Sequence, residues 1–330
     1  MTLLSVLDLA PVTAPSDATQ ALQESTAVAQ AAERFGYNRF WVAEHHAMAA
    51  VASSAPAVLL AHVAQVTTTI RLGAGGVMLP NHAPLVIAEQ FGTLEALHRG
   101  RIDLGLGRAP GSDPATARAL GRGSAETFPD DVVELLSYFA GVAPVTAMPG
   151  AGDHPEVWLL GSSTYSAQLA AYLGLPFSFA YHFAPDLVDQ ALSIYRQQFR
   201  PSTYLSAPYC MVAVTMLCAA TEEEADYLAG PLRLSTLLLR TGRPAPMVSP
   251  EVVAERGFSA DEAALLRQVT ASHVVGDPTR VAEGLGHLRD RTQVDELMVS
   301  TRAFSLEDRV RSLELTASAM GILPRALRSA

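Results

Sequence analysis

Short apolar runs alternate with helix-patterned stretches along the chain, and no other feature restricts the fold as much. Repeated strand–helix units lay their strands in parallel, because each helix carries the chain back across the sheet before the next strand begins. The first run, Leu3–Leu9, precedes apolar residues at helical spacing from Thr19 to Phe35, closed by Gly36 as a C-terminal cap. Tyr37–Val42 reads as a second strand, and Ser53, Ser54 and Pro56 open a helix running to Val66. Ile70–Leu79 reads as the third strand, Pro84–Leu97 as a helix and Ile102–Gly107 as the fourth strand.

The pattern weakens from Arg108 to Pro155, where Gly, Pro and Ser are frequent and one helical stretch lies near Asp130–Ala140. It resumes with the strands Val157–Gly161 and Phe177–Ala180 and the helices Ser162–Leu173 and Pro185–Phe199. Tyr209–Ala219 is a long apolar strand, after which Thr221 and the acids Glu222, Glu223 and Glu224 open a helix. A second irregular insertion is expected from about Thr241 to Ser272, then a helix begun by Asp277–Pro278, a strand at Glu296–Ser300 and a closing helix at Leu306–Met320. Eight strands in α/β order predict one (β/α)8 TIM barrel over residues 1–330 with insertions after strands 4 and 7, although an open parallel sheet fits the same count.

Composition narrows the function. With 49% hydrophobic and 17% charged residues, the chain is expected to bury a large core. A net charge of −10 argues against nucleic acid or an anionic membrane as partner. All 23 basic residues are arginines, which excludes a Schiff-base lysine and a Walker-type phosphate lysine. No leader or membrane span is read, since the apolar run Ala55–Val66 is broken by His62. Cys210 and Cys218 form no CxxC pair, so a cytoplasmic location is expected.

Barrels carry their chemistry at the C-terminal ends of the strands. After the second strand comes Glu44-His45-His46, where a histidine near neutral pH can donate or accept a proton; loop histidines bonded to backbone fit the same residues. After the third comes a run of small residues, Gly73-Ala74-Gly75-Gly76, which admits a flat ligand or a tightly packed neighbour. The fourth ends with Gly105, Gly107 and Gly111 around Arg108; this spacing fails the dinucleotide fingerprint, and the arginine suits a phosphate or a surface ion pair. The fifth leads into Gly161-Ser162-Ser163-Thr164-Tyr165-Ser166, hydroxyls at a helix N-terminus that either bind an anion or cap the helix. His82, His98 and His182 follow no metal-ligand spacing, so no metal site is expected.

Several stretches together resemble the bacterial luciferase-like flavin monooxygenases: Phe40-Trp41-Val42-Ala43-Glu44-His45-His46, Val77-Met78-Leu79-Pro80-Asn81-His82-Ala83-Pro84, Glu89-Gln90-Phe91-Gly92-Thr93-Leu94-Glu95, the segment from Arg99 to Arg108, Leu160-Gly161-Ser162-Ser163 and Val275-Gly276-Asp277-Pro278. The opening residues Leu4 to Val12 and the segment Ala52-Ser53-Ser54-Ala55-Pro56 resemble the subgroup that includes the mensacarcin-pathway epoxidase, which points to a polyketide-like substrate and antibiotic biosynthesis.

The resemblance implies reduced FMN (FMNH2) as cofactor, O2 as cosubstrate and oxygen transfer through a flavin C4a-hydroperoxide. It also implies a separate flavin reductase as partner and a homodimer. By position, His45 with Glu44 is the catalytic pair, while Arg108, Ser162, Ser163 and Ser166 hold the phosphate; Gly75 and Gly76 match a cis peptide under the isoalloxazine. Luciferase itself carries a cysteine where this chain has Gly107 and a glutamate where it has Ser162, so light emission is not implied. The alternatives are an F420-dependent oxidoreductase on the same scaffold and a non-catalytic flavin-binding protein; a metal-dependent barrel hydrolase is a more remote reading.

Overall fold

The computed structural model describes residues 3–109, 113–121 and 123–322. Among the described residues there are nine strands and thirteen α-helices, mostly in alternation. The strands are β1 (Leu3–Asp8), β2 (Arg39–Val42), β3 (Arg71–Met78), β4 (Ile102–Gly107), β5 (Glu156–Gly161), β6 (Phe177–Ala180), β7 (Cys210–Cys218), β8 (Val274–Gly276) and β9 (Glu296–Ser300). The helices are α1 (Ala18–Phe35), α2 (Pro56–Ala64), α3 (Pro84–Leu97), α4 (Pro114–Ala119), α5 (Phe128–Phe139), α6 (Thr164–Leu173) and α7 (Val188–Gln198) in the first part. They continue with α8 (Glu222–Leu228), α9 (Gly230–Arg240), α10 (Pro250–Arg256), α11 (Ala260–Val269), α12 (Pro278–Thr292) and α13 (Leu306–Ala319).

Every strand pair is parallel. Neighbours run in chain order from β1 to β7, β7 pairs with β9, and β9 returns to β1, which closes an eight-stranded barrel. The fold is thus a (β/α)8 barrel rather than an open sheet. The short β8 stands outside this ring, paired only with the end of β7 from Met216 to Cys218.

Local chemistry sets the elements. Helix α1 starts where the Asp17 carboxylate accepts the Gln20 N–H at 3.0 Å and stops at Gly36, whose φ of 87° is the left-handed cap position. The stretch read from the sequence as an irregular insertion between Thr241 and Ser272 contains α10 and α11. Their patterns are too short to stand out, and they form because Val253 and Leu266 pack against Leu234 and Leu237 of α9. Ser259 and Glu262 then close a capping box at the start of α11. The segment after Arg108 holds α4 and α5, and Gly111 of the glycine pattern lies outside the described residues.

The barrel interior is plugged. Trp41 and Trp158 meet edge to face at 5.4 Å, and the Trp41 indole N–H donates to Asp103 at 2.8 Å. Both rings are fully buried, each a gross gain of about 4–6 kcal/mol at the usual area coefficient. Below them Arg39 pairs with Asp103 at 2.9 Å and Glu296 at 3.1 Å. A Cβ on Gly73 would stand 2.5 Å from Trp41 Nε1, so that glycine makes room for the plug. The cavity above it opens at the C-terminal ends of the strands.

Candidate active site

A cavity of about 790 Å³ occupies that mouth, within the size range of small-molecule sites. Its floor is Leu7, Trp41, Leu160, Ala213 and Met298, the upper face of the plug. The rim is knitted by main-chain bonds. Val12 N–H donates to Ala50 O at 3.0 Å, Ala52 N–H to Ala10 O at 2.9 Å and Met247 N–H to Val12 O at 3.0 Å. The loop after β2, the segment after β1 and the insertion after β7 therefore form one wall.

Gly75, Gly76, Arg108, Ser162, Ser163 and Ser166 all line this cavity, as does His45. The peptide between Gly75 and Gly76 is cis, at the point where β3 shifts register against β4. The Arg108 guanidinium lies 4.1 Å over the Tyr165 ring, which fixes it at the start of α6. Ser163 is the N-cap residue of α6, yet its hydroxyl makes no capping bond. Its hydroxyl and the first-turn N–H groups are therefore not used up by side-chain capping, the arrangement that suits an anion at a helix N-terminus.

His45 is held by its own N–H, which donates to Ser53 O at 2.9 Å, while its Nδ1 is buried with no hydrogen-bond partner among the described residues. Burial and the nearby Arg302 push its pKa below the ordinary histidine value, so the ring is neutral. Glu44 behaves differently. It is fully buried, does not line the cavity, and accepts from Met78 N–H at 3.1 Å, Asn81 Nδ2 at 3.1 Å, His46 Nε2 at 2.9 Å and His82 Nε2 at 3.0 Å. Burial raises its pKa, but the bonds from His82 and His46 outweigh that and hold it below the usual carboxylate range. The structure thus separates two neighbours that the sequence placed together: His45 meets the cavity, and Glu44 positions the loop behind it.

Sequence reasoning missed the far wall. His182, His273 and Arg302 also line the cavity. His182 and Arg302 follow β6 and β9, so the strand-end rule that found His45 and Arg108 would have found them too. His273 precedes β8 and had no such signal. Burial pushes His273 down to about 4, helped by His182, Arg302 and Arg233, and burial also lowers His182, against the hydrogen bond to Ala213 O at 3.0 Å. Among the described residues, no group of three or more His, Cys, Asp or Glu is placed to hold a metal ion.

Residues 2–295 match the luciferase-like monooxygenase family. The chain belongs to that family. It is 47% identical to a luciferase-like monooxygenase of Escherichia coli (strain K12), over 94% of this chain and 95% of the relative. The crystal structure of apo-MsnO8 superimposes with a TM-score of 0.92 at 35% identity, covering 98% of this chain and 100% of that one, which places the protein in the mensacarcin epoxidase-like subgroup. Two distant structures share the fold alone. They are a type II Baeyer-Villiger monooxygenase from Pseudomonas putida in complex with FMN (TM-score 0.73, 19% identity, 97% and 98% covered) and an F420-dependent secondary alcohol dehydrogenase (TM-score 0.69, 14% identity, 97% and 99% covered). This luciferase-like monooxygenase therefore carries its candidate residues on a scaffold whose family binds flavins.

Proposed function

We propose that this enzyme uses FMNH2 and O2 to insert one oxygen atom into an apolar, polyketide-like substrate by epoxidation or hydroxylation, with a separate reductase supplying the FMNH2. One observation carries the reading: Arg108, the uncapped Ser163, Ser162 and buried Ser166 converge on one side of a cavity that also presents a neutral histidine. The donor set fits a phosphate monoester: a guanidinium stacked on Tyr165, three serine hydroxyls and a helix N-terminus in one cavity lining.

When bound, reduced FMN supplies the two electrons that divide O2 between product and water. The chain's own residues do the rest. Arg108 and the serines hold the phosphate, and Gly75 and Gly76 present side-chain-free backbone beside Trp41 and Leu160 for a flat ring. His45, neutral and with no protein partner at Nδ1, can carry its proton on either nitrogen and so can give or take one at the reacting oxygen. Met48, Val51, Leu232 and Val269 line the cavity with apolar surface that excludes water from the chemistry.

The test is anaerobic mixing of protein and photoreduced FMN with O2 in a stopped-flow spectrometer. The expected result is a reoxidation course distinct from that of free FMNH2 and abolished by Arg108→Ala. A course identical to free flavin at saturating protein overturns the proposal. Turnover of reduced F420 without O2 consumption would instead establish the deazaflavin alternative.

A further inference from the structure

Among the described residues, three arginines line the cavity, Arg108, Arg240 and Arg302, and no aspartate or glutamate does, although the whole chain carries a net charge of −10. A cavity of this kind selects anions. On the flavin reading, Arg108 is engaged by the cofactor phosphate. Arg240 ends α9 on the exposed rim. Arg302 has no such occupation.

Arg302 follows β9, whose barrel neighbours are β7 and β1, so it stands across the mouth from β4 and β5, which carry Arg108 and the serines. Its Nε is buried without a hydrogen-bond partner, and no described carboxylate forms an ion pair with it. The acid that acts on it electrostatically, Asp8, already accepts the Ala10 N–H at 2.6 Å and faces Arg309 Nη1 at 3.7 Å. The imidazoles around it, His45, His182 and His273, are held neutral by burial and by Arg302 itself, and none can balance its charge. A half-buried guanidinium whose Nε is unpartnered, with no counter-ion among the described residues, costs a fold stability, and its place in a ligand cavity points to a counter-ion that arrives with the ligand.

We propose that Arg302 anchors a carboxylate on the organic substrate, so that the enzyme oxidises an acid held at its charged end, with the apolar remainder lying against apolar lining such as Leu7, Met298 and Leu232. The cofactor and the substrate then each bring one anion, and the two arginines hold them at opposite sides of the mouth. The proposal rests on the flavin reading for the occupant of the Arg108 side.

Calorimetric titration with sodium octanoate and its neutral isostere octanamide tests it, on protein alone and on protein saturated with FMN kept reduced under anaerobic conditions. Octanoate is expected to bind roughly tenfold or more tighter than octanamide, the ratio a charge-assisted bond provides, and to keep that preference with FMNH2 present. Arg302→Met should abolish the preference while leaving octanamide and FMNH2 binding unchanged and the melting temperature no lower than wild type. Arg302→Lys should keep part of the preference, which covers the case of a Met variant that fails to fold. Equal binding of the two probes by the wild type overturns the proposal. So does loss of octanoate binding in Arg108→Ala but not in Arg302→Met, or loss of FMNH2 affinity in Arg302→Met, which would assign the cation to the flavin. Octanoate selectivity that depends on Arg302 in a protein that does not bind FMNH2 would uphold the anion site and sink the flavin reading.

Discussion

Removing the Glu44 carboxylate tests whether it is a support or a reagent. Glu44→Ala strips the acceptor from four donors. His46 and His82 retain 16% and 29% side-chain exposure and can turn to water, whereas the Met78 N–H and the Asn81 amide lose a bond inside the wall. At about 1–3 kcal/mol for each such loss, the variant should be less stable by about 2–6 kcal/mol at neutral pH, a large share of a typical domain's stability. The pH dependence has a definite sign. The folded pKa of Glu44 lies below its unfolded value, so its contribution is complete above the usual glutamate value of about 4.3 and is lost as pH falls from there through the folded pKa. Urea unfolding of both proteins at neutral pH and at successively lower pH measures this. A gap under about 1 kcal/mol at neutral pH, or one that fails to shrink in acid, would refute the supporting role.

Three further outcomes follow from the site. His45→Ala should lower turnover by about 100-fold or more while leaving FMNH2 affinity unchanged in an anaerobic titration, because it removes a proton carrier and no phosphate contact. Arg108→Ala should do the reverse, weakening FMNH2 binding by about 10- to 100-fold with turnover largely recovered at saturating flavin. His273, pushed from an unfolded value of about 6.5 down to about 4, costs stability as pH falls: its contribution is intact above about 6.5 and is lost between there and about 4, some 3 kcal/mol in all. His273→Leu should flatten the acid side of the stability profile by that amount, and superimposable profiles for variant and wild type would count against the assignment.

The strand order and one side of the cavity were legible in the sequence. Hydrophobic period and cap residues are local properties, and once β2, β3, β4 and β5 are placed, the residues that follow them are committed to one end of a barrel. His45, Arg108 and the serines after Gly161 were found in this way. Helices α10 and α11 were not, since each is too short to show a period and owes its apolar face to α9.

The contrast between adjacent residues is sharper. Glu44 and His45 carry similar promise in the sequence, and bonds from Met78, Asn81 and His82, more than thirty positions away, bury one behind the wall while the other lines the cavity. The sequence alone determined eight strands in α/β order with Arg108 and the serines just after two of them, because both follow from patterns within a few residues; the β9–β1 pairing that closes the barrel is a long-range contact. Only the tertiary structure decided that Arg302 stands, among the described residues, without an ion-pair partner and beside neutral histidines, because a charge has a counter-ion or lacks one according to which distant strand ends come together.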